Sequence, residues 1–155
     1  MAERQPDLLK HVSIENYEQK FNNHDNKRSG VVGMYIRKSM AVKKRDDITS
    51  HDNTIENMWM EVKGKYDSFL LAVLNQSSLT VAGERTWLAK IDSLLVCVST
   101  IWTDPIIITG DTNIHLLEIN SDIVVEYNSV LQNHSLKQHT TKATRLIISL
   151  QTSAR

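Results

Sequence analysis

The order of apolar and polar positions divides this chain into short strands and two helices. Val31 to Arg37 alternates with period two: Val31, Gly33, Tyr35 and Arg37 fall on one side, and Val32, Met34 and Ile36 on the other. Ile55 to Val62 reads as a second strand, with Met58, Met60 and Val62 sharing a face and Trp59 opposite them. Phe69 to Leu74 is apolar throughout, as a central strand requires. The period changes from Glu84 to Ile101, where Trp87, Ile91, Leu94, Leu95, Val98 and Ile101 recur every three or four residues. That spacing predicts an amphipathic helix with a core-facing stripe. Pro105 opens an unbroken Ile106–Ile107–Ile108 run that predicts a buried strand ending at Gly110. Asp122 to Asn133 predicts a second, weaker helix carrying Val125, Tyr127 and Leu131.

The remaining stretches are polar. Residues 1–29 have poor periodicity and contain a loop from Asn22 to Arg28. Ser39 to Asn53 is charged without an apolar period, so a loop or edge segment is expected. Leu136 to Thr141 reads as extended and Leu146 to Leu150 as a final strand, with residues 151–155 as a tail. Strands interleaved with helices predict α/β layers. Three early strands with no helix between them predict antiparallel pairing, and hence a two-sheet core with helices outside.

Composition narrows the picture. With 155 residues there is room for one domain and one modest core. The formal net charge is zero, so nucleic-acid binding would have to come from a local patch. Basic residues cluster at Arg37, Lys38, Lys43, Lys44 and Arg45, and again at Lys137, Lys142 and Arg145. Cys97 is the one cysteine, so no internal disulfide forms and an intracellular setting is expected. Its place in the helical pattern makes it a small packing residue. No membrane span, cysteine–histidine metal spacing or glycine-rich phosphate loop is present in the sequence.

The candidate chemistry lies at Gly110-Asp111-Thr112-Asn113. In extended backbone, residues two apart face the same side. Asp111 and Asn113 would then point together off the strand end, an anionic oxygen ligand beside a neutral donor. The same tetrapeptide is also ordinary turn chemistry, with Asp and Asn bonding their own backbone.

Several segments in sequence order carry a resemblance. They are Gly30-Val31-Val32-Gly33-Met34-Tyr35-Ile36-Arg37, Glu56-Asn57-Met58-Trp59-Met60-Glu61-Val62, Trp87 with Ile91-Asp92-Ser93-Leu94-Leu95, Ile106 to Ile114, and Tyr127 and Leu131 followed by Gln138 to Arg145. Together they resemble the endonuclease domain of non-long-terminal-repeat retrotransposons. That domain belongs to the exonuclease–endonuclease–phosphatase superfamily, together with apurinic/apyrimidinic endonucleases and deoxyribonuclease I. The resemblance spans residues 30–150 as an incomplete domain, after a polar segment, 1–29.

The resemblance implies an α/β (α+β) fold, a partial four-layer two-sheet sandwich with flanking helices. It also implies a magnesium- or manganese-dependent phosphodiesterase that nicks DNA, with no membrane and no small-molecule cofactor. Asp111 matches the aspartate that positions or activates the attacking water and touches the metal. Asn113 matches the asparagine that binds the phosphate and the departing oxygen. Thr144 and Arg145 match phosphate-binding positions. An intracellular location, nuclear or cytoplasmic, follows from the same reading.

The sequence also departs from that family. The first-strand asparagine and the metal-holding glutamate have no counterpart, and Glu15 and Asn16 lack the strand context to replace them. The family tyrosine falls at Leu74, with Gln76 in place of a following proline. The closing Ser-Asp-His strand is not found, and His115, His134 and His139 read as surface or rim residues. A truncated or degenerate copy with impaired activity is therefore expected, either retaining weak phosphodiester chemistry or serving as an inert nucleic-acid-binding or structural relic.

Overall fold

The computed structural model describes residues 13–23, 31–76 and 80–139. They fall into two compact units, one running up to Asn113 and the other starting at Ile114. Among the described residues the architecture is mixed α/β, with two sheets and three helices.

In the first unit, β1 (Tyr17–Asn23) pairs antiparallel with β2 (Val31–Arg37) along its whole length, from Tyr17 opposite Arg37 to Asn23 opposite Val31. Residues 24–28 of the expected loop from Asn22 to Arg28 lie outside the described residues, and its start is corrected, because Asn22 and Asn23 belong to an unanticipated strand. Its sequence, Tyr-Glu-Gln-Lys-Phe-Asn-Asn, has no regular apolar alternation, and the ladder to β2 rather than a buried face holds it. Phe21 lies against Gly33, where a Cβ would come within 2.3 Å of its ring.

The larger sheet has the order β3-β4-β5-β6: β3 (Ala41–Lys44), β4 (Glu56–Lys63), β5 (Ser68–Asn75) and β6 (Ile106–Asp111). β3, β4 and β5 are antiparallel neighbours, whereas β6 runs parallel to β5. Parallel neighbours need a crossover, supplied here by α2 (Val81–Ile101). The charged stretch expected to be loop or edge contains β3 and one helical turn, α1 (Asp46–Thr49), whose Ile48 is fully buried. The three early strands do not all join one antiparallel set, because β2 pairs with β1 instead of β4.

β4 is buried on both faces. Met58 and Met60 are closed to solvent on one side, and Asn57 and Trp59 on the other. The small sheet is tied to it where Asn22 Nδ2 donates to the Asn57 carbonyl at 2.9 Å. β5 is central as expected, with Leu70 and Ala72 fully buried. The expectation for β6 requires correction. Ile107 is 51% exposed, and Ile106 and Ile108 are only half-buried. Among the described residues β6 has a neighbour on one side alone, so its apolar run is not enclosed on both faces.

α2 begins three residues earlier than the period indicated. Thr80 is its N-cap, with Oγ1 accepting from the Gly83 N–H at 3.1 Å. Trp87, Leu88, Ile91, Leu94, Leu95 and Val98 form its buried stripe, while Ile101 is exposed. Just past the helix, Trp102 faces the Arg45 guanidinium, 5.6 Å from the ring centroid. Arg45 also holds Asp47 in a two-pronged pair at 2.9 and 2.7 Å and reaches Glu61 at 3.6 Å.

In the second unit, α3 (Asp122–Asn133) forms where the pattern placed it. Its buried positions are Val124 and Tyr127, and Val125 points outward at 54% exposure. Tyr127 donates to Gln138 Oε1 at 2.9 Å, and burial pushes its phenol pKa up. Residues 136–139 have no regular structure. The predicted strand from Leu146 to Leu150 lies outside the described residues.

Candidate functional site

β5 and β6 run parallel, so their C-terminal ends emerge side by side. Asn75 stands opposite Asp111, and Glu56, at the start of β4, stands opposite Asn75. Direct partners across a ladder share a face, so Glu56, Asn75 and Asp111 form one polar row. Asn75 Nδ2 donates to Glu56 Oε2 at 2.5 Å. Asp111 is exposed at the strand end.

The chain turns back immediately after Asp111. Asn113 has φ 50°, in the left-handed region that asparagine tolerates. Its N–H donates to Asp111 Oδ1 at 3.1 Å, an Asx turn, and its Nδ2 donates to the Gln76 carbonyl. Gln76 N–H in turn donates to the Asp111 carbonyl at 2.8 Å. The extended geometry that would carry Asp111 and Asn113 on one side is therefore not adopted. β6 stops at Asp111, and the asparagine clasps the end of β5 instead. These contacts are those of the turn reading of Gly-Asp-x-Asn.

Thr144 and Arg145 lie outside the described residues. Leu74, at the position of the family tyrosine, is buried. His115 belongs to the second unit and its Nδ1 lies 3.0 Å from Glu118 Oε1 on an exposed loop. In the basic cluster, Lys44 is paired with Asp46 at 2.9 Å, and Arg45 is committed to Asp47 and Glu61. Among the described residues no three histidine, cysteine or acidic side chains gather closely enough to hold a metal ion. Magnesium keeps several waters and is commonly bound through one or two carboxylates. One carboxylate, Asp111, stands at this strand end, and its Oδ1 already accepts from the Asn113 N–H.

Pattern reading missed a feature beside the polar row. A cleft of about 330 Å³ lies between the first turns of α2 and the adjoining ends of β4 and β5. Glu56, Asn75, Gln76, Trp87 and Lys90 are among its lining residues. Lys90 Nζ donates to Thr54 Oγ1 at 2.5 Å, and Thr54 is bonded to Asp52. Burial pushes the Asp52 carboxyl up, but the Thr54 hydroxyl and N–H, aided by Lys90, outweigh it and hold the pKa below its usual value.

Gln76 is fully buried and Trp87 is 8% exposed. Both side-chain polar atoms of Gln76, and Trp87 Nε1, have no hydrogen-bond partner among the described residues. Each such group costs about 1–3 kcal/mol. In the sequence Gln76 looks like a loop residue and Trp87 like a core anchor. Their convergence depends on how α2 is set against β5, which no local pattern encodes.

Comparisons with family models, with curated proteins and with solved structures found no match to this chain.

Proposed function

We propose that this chain is an exonuclease–endonuclease–phosphatase-type domain of retroelement origin, whose ancestral reaction is metal-dependent hydrolysis of a DNA phosphodiester, at much reduced turnover. The architecture belonging to this reading is a partial four-layer, deoxyribonuclease I-like sandwich. The observation that carries it is the exposed Asp111 carboxylate at the C-terminal end of a parallel strand pair joined by a helix. Open α/β sheets take their ligands beyond the carboxyl ends of such strands.

Under this reading Asp111 orients the attacking water. Asn113 holds one amide hydrogen on the Gln76 carbonyl and keeps a second for a phosphate oxygen. Thr144 and Arg145 are assigned to the phosphate. Magnesium or manganese, when bound, would stabilise charge developing on the phosphate oxygens. A general acid/base group, where such a site has one, typically supplies ~10²–10⁴ in rate. The substrate is DNA, and the setting is intracellular, nuclear or cytoplasmic.

A second reading is an inert nucleic-acid-binding or structural relic. It is favoured by the Asn113 clasp, because the Asp-x-Asn unit closes a turn and joins two strand ends without any chemistry. Conversion of supercoiled plasmid to the nicked form, with magnesium or manganese, separates the two. Slow nicking that Asp111→Ala abolishes supports the phosphodiesterase. Absence of nicking by a folded wild-type chain, or nicking unchanged in Asp111→Ala, overturns it.

A further inference from the structure

The small sheet has one face turned inward and one outward. Val32 and Ile36 are buried on the inner face. Direct partners across the ladder share a face. Tyr17 with Arg37, Gln19 with Tyr35, and Phe21 with Gly33 therefore stand together on the outer one. Two contacts agree with that register. Gln19 Nε2 donates to the Tyr35 hydroxyl at 3.1 Å, and the Phe21 ring lies against Gly33. Tyr17, Tyr35 and Arg37 are exposed, and Phe21 is half-buried. Two of the chain's four tyrosines and one of its two phenylalanines are thus gathered on a single solvent-facing surface.

The charge on this face has one sign. Its six positions include the cation Arg37 and no carboxylate. Lys38 is exposed beside it, and its N–H donates to the Asn16 carbonyl at 2.9 Å, which fixes it next to the start of β1. Glu18 falls on the opposite face and pairs with Lys20 at 2.5 Å. The matching ligand is negatively charged and also carries flat rings. Sugars and proline-rich peptides stack on aromatic rings too, but they bring no charge to meet Arg37 and Lys38.

The spacing selects among nucleic acids. The rings follow one another at Tyr17, at Tyr35 opposite Gln19, and at Phe21. Each step is two residues of strand, about 7 Å. Nucleotides in a duplex strand follow at about 3.4 Å, so this step suits an extended, unpaired strand. We propose that the outer face of β1 and β2 binds an unpaired nucleic-acid strand. Its bases stack on Tyr17, Tyr35 and Phe21, and its phosphates meet Arg37 and Lys38. None of these residues belongs to the Asp111 site, so the inference stands apart from the phosphodiesterase reading.

The test is fluorescence anisotropy of a labelled short oligo(dT) with the full chain, in EDTA so that no turnover contributes. Log affinity should fall linearly with log salt concentration. An abasic oligomer of the same length, and a duplex of the same sequence, should each bind at least fivefold more weakly. Tyr35→Leu keeps an apolar side chain but removes the ring, and should weaken binding at least fivefold. Tyr35→Phe should bind like the natural chain, and Arg37→Gln should lower the salt slope by about one. Circular dichroism checks each variant, and Tyr17→Leu carries the same test where Tyr35→Leu unfolds. Oligo(U) separates the two sources: tighter binding than oligo(dT) identifies RNA, and equal or weaker binding identifies DNA. The proposal is overturned if neither oligomer binds, if the abasic oligomer or the duplex binds as tightly, or if a folded leucine variant binds unchanged. Plasmid nicking is read separately, so failure of either reading leaves the other standing.

Discussion

At Gly110 the backbone has φ 132°, and a Cβ placed there would lie 1.8 Å from the Leu74 carbonyl oxygen. Two independent constraints therefore demand glycine, a dihedral that L-residues rarely adopt and a close approach of β6 to β5. Gly110→Ala should cost about 3 kcal/mol or more, by strain and by displacement of β6. Chemical denaturation would show this as a lower midpoint. Because Asn113 anchors to Gln76 and Gln76 to Asp111, the same substitution should also displace the candidate carboxylate. Gly-Asp-x-Asn is thus a structural unit before it is a chemical one, and the nicking activity of Asp111→Ala has to be judged against a folded control.

At the scale of elements, α2 carries the crossover that makes β6 parallel to β5. Its fully buried and nearly buried positions, such as Val98 and Leu94, hold it in place. Leu94→Ala should destabilise by about 2–5 kcal/mol through lost burial and a residual cavity. Thr80→Ala removes the cap on Gly83 and should cost about 1 kcal/mol. The two substitutions touch different ends of the helix, so thermal or urea denaturation of the double variant should give nearly the sum. The helical period was legible because its apolar stripe is long. The first turn was not, since Val81-Ala82-Gly83 resembles a loop until Thr80 is recognised as a cap. β1 escaped notice because its sequence has no periodic apolar face to detect, whereas β3 lies at the sheet edge, as the loop-or-edge reading of Ser39–Asn53 allowed, with four residues too few to show a period.

At the scale of the whole molecule, two carboxylates couple stability to pH. The Arg45 guanidinium, chiefly through its hydrogen bond, holds the Asp47 carboxyl below its usual value. The Thr54 contacts lower Asp52 in spite of its burial. A depressed carboxyl contributes stability above its unfolded value, near 3.8. That contribution is lost as pH falls through the lower folded value. The denaturation midpoint should therefore fall below about pH 4, and Asp47→Asn should flatten part of that fall. Because Asp47 is largely exposed, the effect should be small and should weaken with added salt. Among the described residues no helix is long and apolar enough to cross a membrane.

Local chemistry alone determined several elements. The alternation around Trp59, the apolar run of β5, the stripe of α2 and the start of β6 after Pro105 each follow from the period of a regular backbone and from residues that interrupt it. The sequence likewise marked Asp111 and Asn113, since an acid and an amide after a glycine are conspicuous wherever they occur. Only the tertiary structure decided that β2 pairs with β1, that Ile107 is exposed, that Asn113 folds back onto Gln76, and that Glu56 and Asn75 line up with Asp111. Those outcomes depend on which segments, distant in the chain, come to lie side by side. Strand pairing and helix placement are settled by the joint burial of many side chains, a sum that no single window of sequence contains.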